Sequence, residues 1–279
     1  MTPITLLACL TTQTATPAVL RAAGAVARRT AAHVTGLHTI AAIEIYPGIA
    51  VHIPGEAHEG FNCAQKDEAE AIEKQFEAFS DDDAFTVGWR LIQADSVSAA
   101  DRMVESALTS DLVLIAQEAE DDRPDQRGAI EALIRQSGRP VIVVPRDWEG
   151  ETLGQSLLVG WSATRESARA VHDAIAIAAP GAAVHILVAG SDEGTRSAEM
   201  DTAKQLAAKL DRLGFEANVI GEETPYRAIA AVLQDTAEEQ GADLIVTGAF
   251  GHSRIYDFVL GAVTTELLQD LRFPVLFSK

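Results

Sequence analysis

Three glycines, Gly248, Gly251 and Gly261, punctuate the stretch TGAFGHSRIYDFVLGAVT, which follows the apolar run Asp243–Thr247 and precedes a helical pattern. Strand, glycine loop and helix in that order suit a phosphate. Glycine lets the backbone take positive φ and come close to a ligand, and a helix opening near Gly261 aims free N–H groups and its dipole at an anion. The spacing G-x2-G-x9-G is neither the dinucleotide fingerprint G-x-G-x-x-G nor a Walker loop with its Lys and Ser/Thr. The chemistry it suggests is nucleotide binding, with plain loop geometry as the competing reading. Arg254, just after His252, suits either a terminal phosphate or a salt bridge with Asp257 three residues on.

Catalysis finds little support. The chain has no G-x-S-x-G elbow, no H-E-x-x-H and no Cys–His–Asn set in a recognisable context, and the glycine loop lacks a Walker lysine. His52, Glu56, His58, Glu59 and Cys63 are of metal-ligating types. Their spacing matches no helix-borne metal motif, and Pro54-Gly55 interrupts a helix, so 41–66 reads as a covering loop and no metal is expected. The chain is expected not to be an enzyme.

The elements that must hold the glycine loop are legible around it. In the second half, apolar β-type runs near 156–161, 183–189, 216–221, 243–247 and 274–278 alternate with helical patterns near 164–179, 197–213, 225–239 and 262–271. Val171, Ile175 and Ala178, and likewise Leu206, Leu210 and Leu213, fall at i, i+4, i+7 and form faces for burial against a sheet. Thr16-Pro17 and Thr224-Pro225 each offer an N-cap followed by a first-turn proline. Strands alternating with helices predict an α/β fold with parallel strands and right-handed crossovers. Ligands in such sheets bind beyond the carboxyl ends of strands where the strand order reverses. With the order 3-2-1-4-5 that point lies between the first and fourth strands, where the glycine loop arrives.

The pattern occurs twice. ITLLACL at 4–10 resembles QSLLVGW at 155–161, SDLVLIAQ at 110–117 resembles ADLIVTGA at 242–249, and RGAIEALIRQSGRPVIVVP at 127–145 resembles LGAVTTELLQDLRFPVLFSK at 260–279. A repeat of this length predicts tandem domains, 1–145 and 156–279, joined by the polar linker 146–155. PVIVVP at 140–145 and PVLFSK at 274–279 are short and edge-prone, and pairing them would cover edges that otherwise invite aggregation. The halves should therefore form an intramolecular pseudo-dimer, which could itself dimerise.

Composition narrows the partners. With 41 acidic against 22 basic residues and a net charge of −19, the surface repels a polyanion, and 5% aromatic residues leave few stacking platforms, so nucleic acid is not expected. A single pocket can still be locally positive. Two cysteines make no disulfide framework, and no stretch approaches the roughly 20 apolar residues of a membrane span. The N-terminus lacks a basic n-region, so a cytoplasmic protein without membrane contact is expected.

A five-strand α/β unit closing with G-x2-G-x9-G, a helix and a terminal strand resembles the universal stress protein family in its tandem form. WSATRESARAVHDA and GHSRIYDFVLGAVTTELLQDLRFPVLFSK carry the likeness, which extends over essentially the whole chain and is weak over 41–66. The resemblance implies two Rossmann-like, adenine nucleotide α-hydrolase-like domains, each with a five-stranded parallel sheet, and ATP or AMP binding in some members. Gly248, Gly251 and Gly261 match the family's phosphate-cradling glycines, with Val263 in register. Ala189 and Thr247 match backbone positions that touch base and ribose.

Two positions depart from the binding pattern. Where binding members carry Ser or Thr after the third glycine, this chain has Ala262, with Thr264 or Thr265 one turn on as substitutes. Where they carry an acid facing the adenosine, it has Trp161, which either stacks on a purine or fills the pocket. In the first half the counterpart loop keeps only Gly128. It sets Glu118, Glu120, Asp121, Asp122 and Asp125 where an anion would sit, and the leading strand ends at Leu10. That half is expected not to bind nucleotide. Adenine nucleotide binding by the second half is the leading reading, and a non-binding structural or protein-interaction module of the same fold is the alternative.

Overall fold

The computed structural model describes residues 4–41, 55–80, 82–94, 97–120, 122–123, 126–224, 226–249 and 261–279. In the first half, β1 (Thr5–Cys9), α1 (Thr16–Thr30), β2 (His33–Ala41), α2 (Gly55–Phe79), β3 (Thr86–Ala94), α3 (Ala99–Ala107), β4 (Leu112–Ala116), α4 (Ala129–Gln136) and β5 (Val141–Val144) alternate strand with helix. The second half repeats the pattern with β6 (Ser156–Gly160), α5 (Arg165–Ile177), β7 (Ala183–Gly190), α6 (Glu193–Arg212), β8 (Glu216–Glu223), α7 (Ile229–Gln240), β9 (Leu244–Gly248), α8 (Ala262–Gln269) and β10 (Val275–Ser278).

Among the described residues ten strands join one sheet in the order β3-β2-β1-β4-β5-β10-β9-β6-β7-β8. Within each half the strands run parallel in the expected 3-2-1-4-5 order, and the halves meet through their last strands. β5 and β10 pair antiparallel, with Val275 opposite Val143, Leu276 opposite Ile142 and Phe277 opposite Val141. Both strands are four residues long and buried throughout, so the pairing removes two apolar edges from water. One consequence matters for the site. The antiparallel join brings the amino ends of the first half's strands beside the carboxyl ends of the second half's.

Helices cover both faces. α1, α2, α5 and α6 pack on one face, while α3, α4, α7 and α8 pack on the other. Alternate residues of each strand feed the two cores: Leu6 and Ala8 face the first, Leu7 and Cys9 the second.

Several local expectations need correction. α1 is capped by Ala15, because the Thr16 hydroxyl donates back to the Thr12 carbonyl at 2.8 Å and the threonine becomes the first helical residue. α7 starts at Ile229 rather than at 225 because β8 runs on to Glu223, and the Thr224 N–H still reaches the Gly190 carbonyl at 3.3 Å. α6 starts earlier than 197, since Asp192 accepts the Thr195 N–H at 2.8 Å and caps it. Its buried stripe is Ala203, Ala207 and Leu210, whereas Leu213 is the C-cap and is 55% exposed. Residues 55–66, expected as loop, open the 25-residue α2. Pro and Gly break a helix interior but are tolerated before and at its first turn, and the residues that follow are rich in Ala and Glu.

The segment 146–155, expected as a polar linker, is packed. Leu153 is fully buried and Arg146 pairs with Asp122 at 2.7 Å. Arg29 of α1 reaches across to the Leu153 carbonyl at 2.8 Å and, through Nε, to the Ile177 carbonyl at 3.1 Å. These bonds fasten the first half to the C-terminus of α5, where carbonyls lack helical partners.

Candidate functional site

The carboxyl ends of β6 and β9 flank the point where strand order reverses in the second half, and a cavity of about 350 Å³ opens there. Leu187, Leu233 and Val263 supply an apolar floor, and Trp161, Ala189, Thr247 and Gly248 line its walls. Five of the residues singled out in the sequence thus share one cavity.

Trp161 lies just past the end of β6, half-buried against the α5–α6 core. Its indole Nε1–H donates to the Thr202 hydroxyl on α6 at 2.9 Å. The ring is held as a wall, its one donor already engaged, beside a cavity that stays open. Thr247 is 8% exposed and its hydroxyl donates to the Gly248 carbonyl at 3.3 Å.

Gly248 occupies the last position of β9 without a positive φ. Its glycine identity has another cause: a Cβ there would sit 2.5 Å from the Ser167 amide nitrogen and 2.6 Å from the Glu166 carbonyl carbon. The first turn of α5 presses on the strand end, and only a residue without a side chain admits it.

Gly261 is the N-cap of α8 in an extended conformation, with φ −60° and ψ 145° and no side-chain cap. Ala262 follows as the first helical residue and is exposed, and neither it nor Gly261 lines the cavity. Neither threonine takes over. Thr264 turns inward with Leu267 and is 3% exposed, as position i+3 from a buried leucine requires, while Thr265 lines a separate cleft shared with Glu118 and Ile130. Gly251, His252, Arg254 and Asp257 lie outside the described residues, as does His52. Cys63 is exposed on α2, and among the described residues no three His, Cys, Asp or Glu side chains form a metal-sized group.

The first turns of α6 add residues that the sequence reading passed over. Asp192, Thr195, Arg196 and Glu199 form the cavity's polar rim. Hydrogen bonds from the Thr195 hydroxyl and N–H hold the exposed Asp192 carboxyl below its ordinary range, so it is ionised at neutral pH. Arg196 donates to the Gly190 carbonyl at 2.8 Å. The available signal was Asp192-x-x-Thr195 directly after an apolar strand, a pattern that marks a helix start.

In the first half the counterpart crevice is occupied by its own chain. The Glu118 carboxylate accepts the Gly128 N–H at 3.1 Å and the Ile130 N–H at 3.2 Å, taking the anion position at the start of α4. Asp122 is 6% exposed and satisfied by Arg146 and by the Ala119 N–H at 2.7 Å. Gln126 is buried and donates to the Thr11 carbonyl at 3.1 Å, while Arg123 bonds Gln65 at 2.8 Å. Glu118 and Asp122, expected where an anion would sit, are thus engaged by their own chain. Asp121 and Asp125 lie outside the described residues.

His38 closes the base of this crevice, fully buried, with Nδ1 2.6 Å from the Leu10 carbonyl. A carbonyl only accepts, so Nδ1 carries the proton and Nε2 is bare. Burial pushes the imidazole down from 6.5 to about 4; the Leu10 bond opposes this and the nearby Arg123 charge adds to it. A pKa depressed on folding contributes stability that is complete above pH 6.5 and lost as the pH falls toward 4. His38→Gln should accordingly show a urea-midpoint deficit relative to wild type that narrows over that interval. A deficit independent of pH would contradict the assignment.

Residues 155–279 match the family model described as Universal stress protein family. A universal stress protein from Archaeoglobus fulgidus DSM 4304 superposes with a TM-score of 0.72 at 13% identity, covering 99% of this chain and 96% of its own. A protein of unknown function from Pseudomonas aeruginosa PAO1 gives a TM-score of 0.59 at 16% identity, covering 100% and 93%. A search of curated protein sequences found no match. Among the described residues no helix is long and apolar enough to cross a membrane.

Proposed function

We propose that residues 155–279, a universal stress protein domain within a chain whose whole length takes that fold, bind ATP or AMP weakly between β6 and β9. Occupancy, rather than catalysis, would then report a stress state to a partner. The supporting observation is the cavity itself: about 350 Å³, at the reversal of strand order, with an apolar floor and a few convergent polar groups. That is the size and character of a small-ligand site. Weakness follows from Ala262. A hydroxyl-to-phosphate hydrogen bond contributes about 1.5–3 kcal/mol, roughly ten- to a hundred-fold in affinity, and a methyl supplies none.

A second reading, a module of the same fold that binds no nucleotide and serves protein interaction, draws on Ala262 and on the ionised Asp192 at the rim. Calorimetric titration with ATP and AMP, after assay of any nucleotide released on denaturation, separates the two. Weak binding that Ala262→Ser strengthens by about ten-fold or more is expected. No released nucleotide and no heat up to millimolar ligand for either protein would leave the second reading standing.

A further inference from the structure

The sheet ends in β3 on one side and β8 on the other, and the two edges differ in chemistry. β8 (EANVIGEE) carries Glu216, Glu222 and Glu223, and charges on an edge discourage another strand from adding to it. β3 (TVGWRLIQA) is nine residues long and contains no acid, although the chain has 41 acidic residues and a net charge of −19. Its one charge is Arg90.

The pairing with β2 fixes what this edge presents. The Thr86 N–H donates inward to the Ala32 carbonyl at 3.3 Å, and by the alternation of a strand Gly88, Arg90 and Ile92 turn their main-chain groups to β2 likewise. Val87, Trp89, Leu91 and Gln93 therefore point their N–H and C=O groups away from the sheet, where no strand among the described residues receives them. The edge is also held firm. Trp89 packs on Phe76 of α2 with ring centroids 5.3 Å apart, and Phe79 links Phe76 to Phe85, which stands just before the strand. Leu91, on the same face of the strand as Trp89, is 45% exposed.

Two features select a second copy of this chain as the occupant. Copies that each carry a net charge of −19 repel one another, so they meet best where acid is absent, and of the two edges only β3 is free of it. The chain also already joins equivalent strands edge to edge, since β5 and β10 close the two halves in antiparallel fashion. A two-fold axis at Leu91 repeats that device between chains: it pairs Trp89 with Gln93, brings the two Leu91 side chains together and places Arg90 opposite Ile92 instead of opposite its own copy.

We propose that this protein forms a two-fold dimer through antiparallel β3–β3 pairing, with the sheet continuous across two chains. The dimer is independent of what the β6–β9 cavity binds.

Sedimentation of the full-length chain over a micromolar concentration series tests it, using wild type, Leu91→Lys, Gln93→Pro and, as a control for added charge, Leu213→Lys at the exposed end of α6. Wild type should dimerise. Leu91→Lys sets like charges against each other across the pair and should raise the dimer dissociation constant about ten-fold or more. Gln93→Pro removes an outward N–H and leaves the β2 ladder intact, as an edge strand tolerates, and should weaken the dimer similarly. Leu213→Lys should match wild type. Amide exchange of wild type reads the same contact without a mutation: the N–H groups of Val87, Trp89, Leu91 and Gln93 should be protected at dimer concentrations and released on dilution. A monomer at every concentration, open-ended polymers of the kind a β3-to-β8 contact would build, a dimer weakened equally by Leu213→Lys or by neither β3 variant, or exchange at these amides that ignores concentration would each overturn the proposal.

Discussion

Asp243→Ala should lower stability by about 4 kcal/mol, read as a fall in the urea midpoint at unchanged slope. The carboxylate stands immediately before β9 and gathers the chain as it enters the second half: Oδ1 accepts the N–H of Gly154 at 2.8 Å and of Ser156 at 3.2 Å, and Oδ2 accepts that of Gln155 at 3.0 Å. Three N–H groups lose a charged acceptor together. Each such loss costs about 1–3 kcal/mol where water cannot replace the acceptor, and less at the exposed Gln155. The first half contains its own control. Asp111 stands before β4 in the same way but, among the described residues, accepts only the Thr5 N–H, at 2.8 Å, so Asp111→Ala should cost about 1 kcal/mol. Equal losses at the two positions would show that the three-fold cap contributes nothing special.

Gly248→Ala is the second large effect, about 3 kcal/mol, accompanied by loss of whatever binds in the adjoining cavity. The added methyl meets backbone atoms of Glu166 and Ser167 at 2.6 and 2.5 Å, and backbone in the first turn of a helix cannot swing aside as a side chain does. α5 would have to lift from β9, carrying Thr164 and Ser162 of the cavity wall with it. Gly190 lines the same cavity, yet a Cβ there meets nothing within 4 Å. Gly190→Ala should therefore stay within about 0.5 kcal/mol of wild type. Comparable melting temperatures for the two variants would refute the packing explanation of Gly248.

These two residues show different degrees of legibility. Gly248 stands out in the sequence, but for phosphate approach; the structure gives it a packing reason, with the first turn of α5, some 80 residues earlier, as the cause. Asp243 looks like the polar edge of an apolar run, and nothing local announces that its partners lie nearly 90 residues back. Glu118 reads as one charge among several, until its bonds to Gly128 and Ile130 place it at a helix start as an internal anion. The cavity residues at 189, 247 and 263 are reached through the family resemblance, and Gly248 through the glycine loop as well. Arg196 is reached by neither, since its contribution depends on where α6 begins relative to the end of β7.

The sequence by itself determined the alternation of strands and helices and the pairing of the last strands. Those follow from periods of 2 and 3.6 residues and from short apolar segments that must be covered, all of which are local or repeated. Only the tertiary structure decided which glycine is steric and which acid is an internal ligand. Each depends on a distance between atoms far apart in the chain, set by the antiparallel seam and by how closely a helix rests on a strand, and residue periodicity carries no information about such a distance.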